Sequence, residues 1–203
     1  MPQITDIKPQ KKKNRVNIYI DGKFSFGLDL ENFVVLGLKV GKELTQEQIE
    51  EIIKKAEFSK TLDKLIRFSM TRPRSKKEVS DWFRRKEVHV SIHEELFNKL
   101  TRLELLDDTK FANWWIVQRT SFRPKSKMVL TMELRQKGID KEIIKKALSE
   151  SGIDELSLAK ELVEKKRRVW EKLEGQEKKK KVTYILGSKG FGWDIIKEIL
   201  KNI

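Results

Sequence analysis

The chain has 203 residues, with 45 Lys and Arg against 31 Asp and Glu, giving a formal net charge of +14 and a pI near 9.8. Hydrophobic residues are 38% of the total and charged ones 37%, yet the apolar positions recur with regular periods, which argues against a disordered chain. No apolar run approaches the roughly 18–20 residues that span a bilayer, Met1-Pro2-Gln3-Ile4 lacks the basic-then-apolar pattern of a signal peptide, and the lack of cysteine excludes disulfides, thiol nucleophiles and thiolate metal sites.

Residues 1–58 carry 10 basic and 9 acidic side chains, so +13 of the net charge lies beyond them. In this near-neutral segment Val16, Ile18 and Ile20 alternate with polar neighbours, as do Phe24, Phe26 and Leu28, and Asp21-Gly22 lies between the two runs. Asp-Gly flanked by period-two runs is a strong hairpin signal, because a type I′ turn needs positive φ. Ile4 and Ile7 suit a third strand before Lys11-Lys12-Lys13. A short helix is expected over about 29–36, stopped by Gly37. Thr45 and Gln48 then fit a capping box opening a helix through Ile49, Ile52 and Ile53.

Beyond residue 58 the chain repeats. Arg72-Pro73-Arg74-Ser75 aligns with Arg123-Pro124-Lys125-Ser126, and the next thirteen positions superpose without a gap. Val79 and Phe83 then meet Leu130 and Leu134, and a third copy places Val182 and Leu186 in the same slots. Lys137-Gly138-Ile139 matches Lys189-Gly190-Phe191, the form of a helix closed by a left-handed glycine. Glu87 replaces that glycine in the first copy, so its turn should differ. Further helices are expected upstream at about 60–71, 108–120 and 154–172. The expected fold is mainly α: an elongated array of three tandem three-helix repeats, 59–106, 107–152 and 153–203, after a small β-hairpin-containing unit, 1–58.

Cations recur with the repeat. Arg72, Arg74, Lys76, Arg84 and Lys86 align with Arg123, Lys125, Lys127, Arg135 and Lys137, and Lys189 continues the last column. A repeated lattice of this kind suits a periodic anionic partner, such as a phosphate backbone or an acidic groove. The plainer alternative is shared ancestry, with the cations merely solvating exposed helix faces. Ser75 with Glu78 also fits a capping box, and Asp107-Asp108 suits a helix start. Trp82, Trp114, Trp115, Trp170 and Trp193 fall at helical spacings typical of packing, with one of the adjacent pair partly exposed. His89 and His93 lack the glutamate of a zincin motif, and Gly187–Gly192 follows a helical stretch rather than a strand, so it reads as a turn. Lys178–Lys181 is either a basic arm or a helix face; Val182 and Leu186 favour the helix. Neither a catalytic residue nor a metal or cofactor ligand emerges.

Arg72-Pro73-Arg74-Ser75, Leu103-x-x-Leu106-Asp107-Asp108-x-x-Phe111-Ala112, Arg119 and Glu133-Leu134-Arg135-Gln136-Lys137-Gly138-Ile139 resemble the RecX regulators of the RecA recombinase over residues 59–203. Glu104 departs from the family's usual glycine, and Ser121-Phe122-Arg123-Pro124 from a Gly-Pro turn. The resemblance implies a non-enzymatic regulator, and the chain is expected to be cytoplasmic and monomeric, with no cofactor and no membrane partner. Such a protein binds the RecA filament on single- or double-stranded DNA, at its groove or end, and restrains filament growth, strand exchange and coprotease activity. Its contacts would come from the repeated cations. A sequence-independent DNA- or RNA-binding architectural protein acting without RecA is the competing reading, and a scaffold for another acidic partner is a third.

Overall fold

The structure, a computed structural model, describes residues 1–11 and 14–203; Lys12 and Lys13 of the expected lysine run lie outside the described residues. In chain order the elements are strands β1 (Ile4–Pro9), β2 (Arg15–Ile20) and β3 (Lys23–Asp29), then helices α1 (Leu30–Val35), α2 (Gln46–Met70), α3 (Lys76–Arg85) and α4 (His93–Arg102). There follow α5 (Asp108–Phe122), α6 (Lys127–Gln136), α7 (Lys141–Glu150), α8 (Glu155–Lys165), α9 (Gly175–Gly187) and α10 (Trp193–Leu200). Two compact units result: Met1–Arg72 with Glu87–Arg102, and Pro73–Lys86 with Leu103–Ile203.

In the first unit the strands form an antiparallel sheet in the order β1-β2-β3. Asp21 and Gly22 take φ of 48° and 79°, as the Asp-Gly turn requires. Val16 pairs with Leu28 and Ile18 with Phe26, and all four face the core. The register then shifts, so that Tyr19 pairs with Phe24. An extra residue reverses the parity of a strand, which is why Phe24 departs from the expected alternation: it is 59% exposed and its ring meets Tyr19 edge-on.

The sheet closes over Ile49, Ile52 and Ala56 of α2, whose start carries the expected reciprocal capping box between Thr45 and Gln48. The helix expected from Thr45 and the one expected over 60–71 are a single element. No Gly or Pro lies between Gln46 and Met70, so nothing interrupts the hydrogen-bond ladder where the composition changes. Residues 58 and 59 therefore lie inside α2.

In the second unit, α5–α7 and α8–α10 are two three-helix repeats with their own cores. Phe111, Ala112, Ile116, Leu134 and Ile144 fill one; Leu158, Leu162, Val182, Leu186 and Ile196 fill the other. The apolar slots aligned in sequence are buried in every copy: Val79, Leu130 and Val182 are 0% exposed, and Phe83, Leu134 and Leu186 at most 1%. Helix α8 ends at Lys165 rather than running to 172, and a 3-10 turn, Arg167–Val169, then seats Trp170, whose indole N–H donates to the Val163 carbonyl at 3.0 Å.

Left-handed residues close the second helices. Gly138 and Gly190 have φ of 77° and 79°, and Glu87 takes φ of 52° without being glycine, so the first copy's turn keeps the handedness that its sequence argued against. Glu104, which stands where the family usually has glycine, is left-handed too, with φ of 56°.

Candidate functional site

The repeated motifs meet one another at the junctions between copies. Ser75 caps α3 by accepting from the Glu78 N–H at 3.2 Å, and its hydroxyl donates to the Lys137 carbonyl at 2.8 Å. The Lys77 ammonium donates to the Gln136 carbonyl at 2.9 Å, and the Lys76 N–H donates to the Asp108 carboxylate at 2.9 Å. One repeat later, the Ser126 N–H donates to the Lys189 carbonyl at 3.0 Å and the Lys127 N–H to the Glu155 carboxylate at 2.8 Å. Both serines are buried. The glycines permit the approach: a Cβ on Gly138 would sit 2.8 Å from Lys77 Cβ, and one on Gly190 would overlap Val129 Cγ2.

The end of α6 is thus seated on the start of α3, and the turn that follows α9 on the start of α6. The second helices, joined in this way, form a ridge in which carbonyl-rich turns meet donor-rich helix starts. Arg-Pro-x-Ser and Lys-Gly are the two halves of this joint.

That arrangement sorts the predicted cations. Lys137 pairs with Glu78 at 2.7 Å, where Glu78 is 11% exposed, and its ammonium lies 5.1 Å from the Trp115 ring. Lys125 is bound to Glu133, which also accepts from Arg119 and from the Trp115 indole, each at 2.8 Å, while the Arg119 guanidinium stacks on Trp115. Burial pushes the Glu133 carboxyl pKa up, but the hydrogen bonds from Lys125, Trp115 and Arg119 outweigh it and hold the carboxyl below its usual value. Burial dominates at Asp108 and raises its pKa against the Lys76 N–H, which favours the charged form.

Lys125 and Lys137 are therefore internal fasteners. Arg72, Arg74, Lys127 and Lys189 are half-buried, whereas Lys76, Arg84, Lys86, Arg123 and Arg135 are exposed. Arg84 and Arg135 occupy the same slot on successive second helices; Arg84 holds Asp81 in a surface pair at 2.9 Å. Sequence reasoning did not single out Lys77, and it named Glu133 only within a family motif and without partners, because those partners lie far along the chain or on another helix. It also set aside Lys179, Lys180 and Lys181, which α9 presents to solvent.

The remaining candidates fall where local pattern placed them, with one exception. Asp107 caps α5 through the N–H groups of Thr109 and Lys110. His89 caps the 3-10 turn Val90–Ile92, and His93 opens α4 with its Nε2 at 2.9 Å from the Val88 carbonyl. Gly187 ends α9 and Gly192 caps α10. Trp82 and Trp170 are buried and Trp114 and Trp115 half-buried, but Trp193 is 55% exposed, since the first residue of α10 precedes the apolar face set by Ile196 and Ile199. In the first unit a cavity of about 650 Å³ interleaves Glu31, Glu51, Asp63 and Glu95 with Lys54, Lys55 and Lys99, so its charges nearly offset one another. Among the described residues no helix is long and apolar enough to cross a membrane.

Three family models match this chain: the regulatory protein RecX N-terminal domain over residues 2–45, and the second and third three-helix domains of RecX over 107–148 and 153–200. The RecX regulatory protein of Bacillus licheniformis is 36% identical across the whole chain, which spans 78% of that relative. The chain belongs to the RecX family. The RecX of Bacillus subtilis is likewise 36% identical over the full chain and 78% of its own length, and that of Leuconostoc mesenteroides 30% over the full chain and 76%. A crystal structure of a RecX regulatory protein superposes over all of both chains with a TM-score of 0.72 at 26% identity. One from Lactobacillus salivarius covers 72% of this chain and 96% of its own, with a TM-score of 0.60 at 28% identity. The RecX family is one of regulatory proteins, and the expected family and helical repeat architecture both hold.

Proposed function

We propose that this protein is a non-enzymatic regulator in the cytoplasm that binds the RecA filament on DNA and lowers its activity. The observation that carries the reading is the recurrence of exposed arginines in one slot of the ridge: Arg84 on α3 and Arg135 on α6, flanked by Lys76, Lys86 and Arg123. Side chains fixed at a repeat interval suit a partner whose anionic groups are themselves periodic, as phosphates and filament subunits are. Lys125 and Lys137 serve the same function indirectly, by fixing the helices that carry the exposed cations.

The test is RecA-driven ATP hydrolysis on single-stranded DNA, at salt high enough to strip the free protein from DNA. Inhibition at protein levels well below that of RecA is expected. Arg84→Glu with Arg135→Glu should raise the concentration for half-inhibition by roughly tenfold or more, since each reversed phosphate or carboxylate contact is worth about 1 kcal/mol or more. The fold should be spared, because the Arg84–Asp81 pair is solvated and such pairs contribute little. Unchanged inhibition would overturn the role given to the arginines, and inhibition seen only when DNA is coated would favour a nucleic-acid binder acting without RecA.

A further inference from the structure

The ridge is not uniformly cationic. Met132 on α6 and Tyr184 on α9 occupy the same repeat slot and are 54% and 71% exposed; the matching residue of α3 is Asp81, held by Arg84. Met128, one helical turn before Met132, is 61% exposed, and its terminal methyl lies 3.5 Å from where a Gly190 Cβ would stand, so it reaches over the α6–α9 joint. Exposed apolar side chains scattered singly need no explanation. Three on two helices that meet at one joint, two of them in equivalent slots, depart from such scatter.

Its surroundings state what fits. Arg135 lies three residues beyond Met132, and Lys180 and Lys181 lie four and three residues before Tyr184, so Met132 and Tyr184 each have a cation beside them on their own helix face. A phosphate chain laid over the centre would desolvate against methionine without gaining a hydrogen bond. A second copy of this chain docked symmetrically would set Arg135, Lys180 and Lys181 against their own kind. A protein surface with an apolar centre and an acidic rim meets both the patch and its border, and methionine is suited to adapt to such a surface.

We propose that the α6–α9 segment of the ridge, centred on Met128, Met132 and Tyr184, docks a protein surface of that kind, while the arginine-rich α3 end meets the polyanion. This rests on the proposed function and deepens it by assigning the patch to the RecA subunits of the filament rather than to DNA. The experiment compares the wild type with Met132→Gln/Tyr184→Gln, which removes apolar surface while keeping good helix-forming character. Each protein is titrated with preformed RecA filament on single-stranded DNA, and separately with the same DNA alone at low salt. The double variant should lose filament affinity by about tenfold or more, as expected for central contacts of an interface, with DNA affinity within about twofold. Unchanged filament affinity, or an equal fall on bare DNA, would overturn the assignment. So would an equal loss from Val117→Gln, which alters an exposed valine of α5, the first rather than the second helix of its repeat. A wild type that binds DNA but no filament would instead remove the proposed function, and this assignment with it.

Discussion

The two joints of the ridge do one task with different atoms. At the first, the Ser75 hydroxyl holds the Lys137 carbonyl; at the second, the Ser126 main-chain N–H holds the Lys189 carbonyl. Asp108 receives the next donor in one and Glu155 in the other. What persists is a donor-rich helix start facing a carbonyl turn, with a carboxylate from the following repeat's first helix alongside. The first joint has an extra lysine-to-carbonyl bond through Lys77, whereas the second is closed by side-chain packing of Val129 over Gly190. Repeats in one chain thus conserve the polarity of a contact more strictly than its chemistry.

That contrast predicts an order of sensitivity. Gly190→Ala should be the most damaging, because it combines a left-handed backbone, costing roughly 1–2 kcal/mol, with overlap on Val129 that costs about 1–3 kcal/mol. A loss near 2–4 kcal/mol in urea unfolding followed by circular dichroism is expected, with Gly138→Ala somewhat below it. If Gly138→Ala proves the worse, the first joint is the tighter one.

Glu133 comes next. Glu133→Gln removes the charge that gathers Lys125, Arg119 and Trp115, and charge-assisted hydrogen bonds of this kind are worth about 1.5–3 kcal/mol. The loss should show as a lower urea midpoint without a change in slope.

The two carboxylates should also differ in sign with pH. The Glu133 pKa is lowered from 4.5, so its contribution is complete above that value and is lost as pH falls through the lowered one. The Asp108 pKa is raised from 3.8, so the folded state holds its proton longer and stability declines as pH rises from 3.8 through the raised value. Unfolding midpoints between pH 3 and 6 should show Glu133→Gln reducing acid sensitivity and Asp108→Asn increasing it; matching changes would contradict the assignment.

The smallest effects concern the non-glycine turns. Glu87→Gly and Glu104→Gly each relieve a left-handed backbone worth about 1–2 kcal/mol, partly offset by the roughly 0.5–1 kcal/mol of extra chain entropy that glycine loses on folding. A gain near 0.5–1 kcal/mol is expected for each, with the Glu104–Lys110 pair contributing little to the balance because it is exposed.

Much of this architecture was legible in the sequence because it is written locally. Apolar residues four apart, serine caps and Lys-Gly turns located the second helices and their equivalence across copies. The division at residue 58 followed a change in composition that no helix breaker accompanied, and α2 runs through it. Phe24 left the core because a bulge is a matter of strand pairing, which alternation within one strand does not report. The candidate cations were found as a set but could not be sorted: Lys137 and Glu78 are 59 positions apart, and only the folded joint makes one the partner of the other. The left-handed turn at Glu87 was hidden for a related reason, since the glycine that marks it elsewhere is there to admit a neighbouring helix as well as to turn.

At each joint a carbonyl-rich turn faces a donor-rich helix start, so the partial charges of the second helices offset one another there, which leaves the start of α9 and the end of α3 as the outer termini of the series. The carbonyl end of α3 is bordered by Arg84, Arg85 and Lys86, where positive groups help the helix. The opposite terminus, the start of α9, has no side-chain cap hydrogen bond, but Glu174 stands at its N-cap and Glu177 in its first turn, where negative groups help the helix, and Lys178–Lys181 follow them. At one extremity the basic residues support the helix beneath them. At the other the two glutamates do so, while Lys178 lies over the Trp170 ring at 5.0 Å and Lys179, Lys180 and Lys181 are turned to solvent one turn further along.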